Sequence, residues 1–280
     1  MADEEHREPS EFIETASAIG GALAGTAVTF VAGPWAGSAS GELVARVLLR
    51  VGSEIEHRWL GPRQERRIGE AAQAAFDEIG AQLDAGREVR RDGFFDPAMP
   101  DGESPADELF EGVLRTAADE WEQRKVPYVG RIFAGLSFDP SVSPADGTYL
   151  IKLAERLTYQ QVVLLAFWEA ARVSDRPYEQ GVVALAVHRA EAGGSPSPTL
   201  LAEMDDLGSA GLLGVATNDE VVTPAATIGF PGAFGTFGRA DLNTVRLTSM
   251  GQRLHRLMGL DHVPESDLEA ILSALRGEHA

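Results

Sequence analysis

The side chains with which this chain could do chemistry are six histidines, 43 carboxylates and its hydroxyls; there is no cysteine. Without thiols, disulfides, Cys-ligated zinc and thiolate catalysis are excluded. The histidines (His6, His57, His188, His255, His262 and His279) show no metal spacing such as H-E-x-x-H. Surface or capping roles are expected of them, with no metal and no cofactor. No serine sits in a nucleophile elbow, and the carboxylates are too numerous to single out an acid–base pair. Asp119, Glu120 and Glu122 read as a solvated helix face, offset by Arg115, Arg124 and Lys125. Glycines recur through residues 229–238 with Phe230, Phe234 and Phe237 between them, but the Gly-Lys-Ser/Thr of a phosphate loop is missing. That run reads as a long wing whose aromatics fold back on the core, or as a partner-docking loop. No catalytic residue is expected, and the chain reads as a non-enzyme.

What the spacing does support is helix packing. Small residues recur at every fourth position at Ser17, Gly21, Gly25, Thr29, Gly33, Gly37, Gly41 and Ala45. On a helix these share one slowly drifting face, where missing side chains let two backbones approach closely. Each helical glycine costs about 0.5–1 kcal/mol relative to alanine, so a lipid environment or a tight partner helix must compensate. Residues 15–41 carry no charge and are long enough to cross a bilayer, yet large apolar residues are few among them. Pro34 after Gly33 favours a hairpin of two helices, 10–32 and 36–60, over a single span.

The net charge of −19 repels phosphate backbones and anionic headgroups over most of the surface. Residues 1–14 hold six acids and one base, which argues against a secretory leader. The only basic island follows the stripe, with Arg46, Arg50 and Arg58 in the place of a cytoplasmic membrane flank. Arginine and alanine richness fits a GC-rich bacterial genome. The expected location is cytoplasmic, with inner-membrane association if the stripe meets lipid.

The elements that would position these residues read as mainly α. Residues 1–14 form an acidic start, and 15–85 hold the hairpin and amphipathic helices, the last at 63–84. Residues 86–103 read as a linker loop and first domain boundary. A small helical domain follows at 104–157. Ser104-Pro-Ala-Asp107 and Ser143-Pro-Ala-Asp146 each place Ser at N-cap, Pro at N1 and Asp at N3, opening helices at 105–125 and 144–156. A short helix at 127–137 lies between them. Residues 158–280 change texture: helices at 159–173, 178–191, 198–208, 249–259 and 265–276, with strand character at 215–222 and 244–247. This is a winged-helix pattern in an α+β domain, with Thr248 as N-cap of the helix at 249–259.

That end of the chain resembles winged-helix regulators through Leu207-Gly208, Gly211-Leu212-Leu213 and Leu247-Thr248-Ser249-Met250-Gly251. Electrostatics argue against nucleic acid. No Lys or Arg lies between Arg189 and Arg239, and the expected recognition helix offers Glu203, Asp205 and Asp206. The order of segments also resembles the Abi-alpha group of bacterial abortive-infection proteins, with Val126-Pro-Tyr-Val-Gly-Arg-Ile-Phe-Ala-Gly135 and Leu153-Ala-Glu-Arg-Leu-Thr-Tyr-Gln-Gln-Val-Val-Leu-Leu165 as the matching stretches. The resemblance implies a phage-defence effector with a Gly/Ala-rich N-terminal region. The leading expectation is therefore a bacterial effector or accessory protein whose stripe associates with membrane or with copies of itself. The alternative is a protein-interaction scaffold with the hairpin buried in its own core and an unidentified protein partner. A winged-helix transcriptional regulator comes last.

Overall fold

A computed structural model of the chain describes residues 38–56, 61–97, 102–172, 197–217, 220–222 and 244–276. The chain is mainly α, with nine α-helices and one three-stranded sheet among the described residues. It divides into two units, Met1–Arg156 and Leu157–Ala280.

In the first unit, α1 (Ala39–Glu56) begins where the Ser38 hydroxyl accepts the Gly41 N–H at 3.0 Å. It buries Val44, Ala45, Val47, Leu48 and Val51. Next, α2 (Pro62–Asp84) starts with proline at N1, and Ile68, Ala72, Phe76 and Ile79 form its apolar stripe at helical spacing. The two Ser-Pro-Ala-Asp boxes open α3 (Pro105–Asp119) and α5 (Pro144–Arg156), as their residue types require. Between them α4 (Val126–Phe138) is buried on nearly every side, from Val126 through Val129, Ile132 and Phe133 to Leu136. A helix apolar all round belongs at the centre, and α2, α3 and α5 pack upon α4. Phe110 links the layers, its ring 5.9 Å from Phe76 and 4.5 Å from Phe133.

The helix expected at 105–125 stops at Asp119. Glu120 leaves helical geometry (φ −66°, ψ 126°), and a short 3₁₀ turn at Gln123–Lys125 leads into α4. The chain between α2 and α3, read from sequence as a linker and domain boundary, is fastened into the same unit. Val89, Phe94 and Phe95 are buried, and the Ala106 N–H donates to the Phe94 carbonyl at 2.9 Å. Arg90 is 7 % exposed. Its Nη1 donates to the carbonyls of Asp139 (2.9 Å) and Val142 (2.8 Å), and its backbone N–H to Ser137 (2.9 Å), closing the end of α4. Its Nε donates to Asp92 at 2.8 Å, and the guanidinium stands 4.6 Å from the Phe94 ring. The polar look of residues 86–97 hid an arginine that works from inside.

The second unit is built around α6 (Tyr159–Arg172), which buries Val162 to Trp168 without a break. Then follow α7 (Pro198–Ser209), β1 (Leu213–Thr217), β2 (Glu220–Val222), β3 (Val245–Leu247), α8 (Ser249–Met258) and α9 (Glu265–Arg276). The sheet order is β2-β1-β3, antiparallel throughout, with Thr217 opposite Glu220 and Leu213 opposite Leu247. The strand character at 215–222 is thus two paired strands. The helix expected at 178–191 lies outside the described residues.

Candidate functional site

Of the small-residue stripe, Ser17 to Gly37 lie outside the described residues, as do Arg58 and the aromatic run with Phe230, Phe234 and Phe237. The last two stripe positions are described. Gly41 and Ala45, one helical turn apart, are both buried on the inner face of α1. The two described arginines of the expected membrane flank, Arg46 and Arg50, are engaged within the unit. Arg46 donates to the Phe95 carbonyl. Arg50 stands 3.7 Å from the Asp107 carboxylate, which is 8 % exposed and also accepts the Ser104 N–H and hydroxyl at 2.8 Å. These side chains tie α1 to the loop and to the first turn of α3.

A tight small-residue contact among the described residues of the unit was not foreseen. A Cβ added to Gly130 of α4 would lie 2.1 Å from the Ala71 carbonyl oxygen of α2. Gly130 and Ala134 on one helix, and Ala71 and Ala75 on the other, repeat the four-residue spacing that permits such an approach. The signal was present in two short pieces, in helices that otherwise read as ordinary amphipathic ones.

Of the carboxylates expected to form a solvated face, Asp119 is exposed, but Glu120 turns inward. Glu120 is 5 % exposed and pairs with Lys125, which is 1 % exposed and donates to the Glu155 carbonyl at 3.0 Å. The other Glu120 oxygen accepts the Glu122 N–H at 2.8 Å. Glu120 is drawn inward on both oxygens, and Trp121 beside it is 77 % exposed. The burial of Glu120 depends on a lysine five positions on, after a change of direction that helical periodicity does not register. Beside this turn an open groove of about 200 Å³ runs between α3 and α5, lined by Glu108, Gly112, Arg115, Asp119, Lys152 and Glu155 among others. Its chemistry is ionic, with both signs present.

In the second unit the two motifs behind the winged-helix resemblance meet. Thr248 is the N-cap of α8, accepting the Gly251 N–H at 3.0 Å and donating to the Gly211 carbonyl at 2.6 Å. Its own N–H donates to the Leu212 carbonyl at 3.0 Å. A Cβ on Gly251 would meet that same carbonyl oxygen at 2.2 Å, so only glycine fits there. The motif residues lock β3 and α8 onto the turn after α7. His255, in the last turn of α8, is 5 % exposed, so of the surface or capping roles expected of it the surface one does not hold, whereas His262 is exposed. Tyr159 donates to Asp267 at 2.7 Å, holding α9 to α6.

Among the described residues no group of three His, Asp or Glu could hold a metal ion, and no helix is long and apolar enough to cross a membrane. Comparison with protein-family models, with curated proteins and with solved structures finds no match.

Proposed function

We propose that this chain is a non-enzymatic interaction protein, a bacterial effector or accessory protein, in which the small-residue stripe packs against protein and not lipid. One observation carries the reading: Gly41 and Ala45, the end of the stripe, are buried in the first unit's own core. The engagement of Arg46 by a backbone carbonyl and of Arg50 by Asp107 adds support, since arginines serving a membrane would face headgroups. This favours the scaffold alternative over the membrane effector.

Flotation with phosphatidylglycerol and phosphatidylethanolamine vesicles tests it. The full chain is expected to stay with the unbound fraction, and Ala45→Leu to lower stability by about 1–3 kcal/mol through overpacking. Flotation of the wild type, abolished by Gly25→Leu with Gly37→Leu, would overturn the proposal. The membrane-effector reading would then hold, motivated by the uncharged residues 15–41 and by the likeness to abortive-infection proteins. Phage plating on cells with and without the protein tests a defence role under either reading.

A further inference from the structure

The groove between α3 and α5 changes chemistry along its length. The two helices run in the same direction. A Cβ on Gly147 would touch Leu109 at 3.3 Å, and one on Gly112 would meet the end of Ile151 at 3.9 Å. Further on, Lys125 joins Glu120, just past α3, to the Glu155 carbonyl at the end of α5. At one end, then, Leu109 and Ile151 flank a floor that Gly112 leaves without a side chain. Thr116 and Lys152 come next, and Glu155 and Asp119 line the other end.

Three groups in the groove have no partner among the described residues. Thr116 is 8 % exposed, yet its hydroxyl makes no hydrogen bond. Ser137 and Thr148, also inside helices, donate to the carbonyl four residues back. Thr116 does not, so its hydroxyl is left for the groove it lines. Lys152 and Glu155 are exposed one turn apart on α5, and neither side chain is in an ion pair. Neighbouring charges are already engaged: Arg115 pairs with Glu111 at 2.7 Å, and Asp119 accepts from Gln64 at 3.4 Å. Glu108 stands away from them, before Leu109 at the apolar end.

A cation with a free hydroxyl, a carboxylate and an apolar floor complement a molecule carrying a carboxylate, an ammonium and an apolar body on one carbon. We propose that the groove binds a free α-amino acid with an aliphatic side chain. The Lys152 ammonium and the Thr116 hydroxyl donate to its carboxylate, and Glu155 accepts from its ammonium. Its side chain lies on Leu109 and Ile151, over Gly112. The volume of about 200 Å³ is below the roughly 300–1,000 Å³ of drug-sized sites, which suits one amino acid and not a nucleotide. The site lies apart from the stripe and does not rest on how the stripe is read.

Ligand-observed NMR and calorimetry of the full chain with leucine test the proposal. Saturable binding with a Kd of about 1 mM or tighter is expected for so small a ligand in a groove open to water. Leucinamide lacks the carboxylate, isocaproate the ammonium and glycine the apolar body, and each should bind about tenfold more weakly. Lys152→Met should remove the preference for leucine over leucinamide, and Glu155→Gln the preference over isocaproate. Both side chains are exposed, so the thermal unfolding of these variants should match the wild type. Thr116→Val, which keeps the shape, should weaken leucine binding severalfold, and Gly112→Leu, which fills the floor, should abolish it. The proposal is overturned if leucine, isoleucine and valine show no saturable binding at about 10 mM. Binding indifferent to Gly112→Leu or to Lys152→Met also overturns it, as does isocaproate or leucinamide binding as tightly as leucine.

Discussion

Gly130 and Gly112 are both helix-interior glycines of the first unit, and their surroundings differ. A methyl group on Gly130 would sit 2.1 Å from a backbone oxygen that cannot move without shifting α2, whereas one on Gly112 would meet only the end of Ile151 at 3.9 Å. Gly130→Ala is therefore expected to cost about 3 kcal/mol or more. Gly112→Ala should stabilise by about 0.5–1 kcal/mol, because the helix is relieved of a glycine; denaturant unfolding of both variants checks the contrast. Arg90 and Asp92 give a residue-scale pH effect. The hydrogen bonds from Arg90 hold the Asp92 carboxyl below the usual carboxylate range. Its folded value is depressed, so its contribution is present above the unfolded value and is lost as pH falls through the folded one. Asp92→Asn should lower stability at neutral pH and flatten the acid limb of the stability–pH curve. The effect is expected to be modest, since the carboxylate is 40 % exposed and water screens the pair.

At the scale of elements, one tetrapeptide appears twice with two energetic weights. Ser104 is 2 % exposed and Asp107 6 %, and the box is shared with Arg50 of α1. The Ser143–Asp146 box makes the corresponding bonds, at 2.8 and 3.1 Å, in solvent. Ser104→Ala should cost about 2 kcal/mol, because buried amide and carboxylate groups lose their partner, and Ser143→Ala about 0.5–1 kcal/mol. Thermal melts of the two variants decide this. Helix starts were legible because N-cap chemistry is local: Ser104, Ser143 and Thr248 announce their helices within four residues. Helix ends were less so. The helix from Pro105 stops at Asp119 because Glu120 is pulled onto a lysine that reaches it only once the chain has turned.

For the whole molecule, the net charge of −19 opposes contact with anionic surfaces, and the arginines that might have offset it locally are in part spent on internal ties. Vesicle partition is accordingly expected to remain at background as salt is lowered, where repulsion from anionic headgroups reaches furthest; binding that strengthens at low salt would count against that account. The mainly α class, the helix registers, the capping boxes and the Thr248 cap follow from residues within a turn of one another, and sequence alone determined them. Whether residues 86–97 separate domains or seal one, whether Glu120 meets water or Lys125, and which glycine touches a backbone were decided only in the tertiary structure. Those outcomes depend on pairs such as Arg90 with Val142 and Gly130 with Ala71, some 50 residues apart, whose meeting no local pattern records.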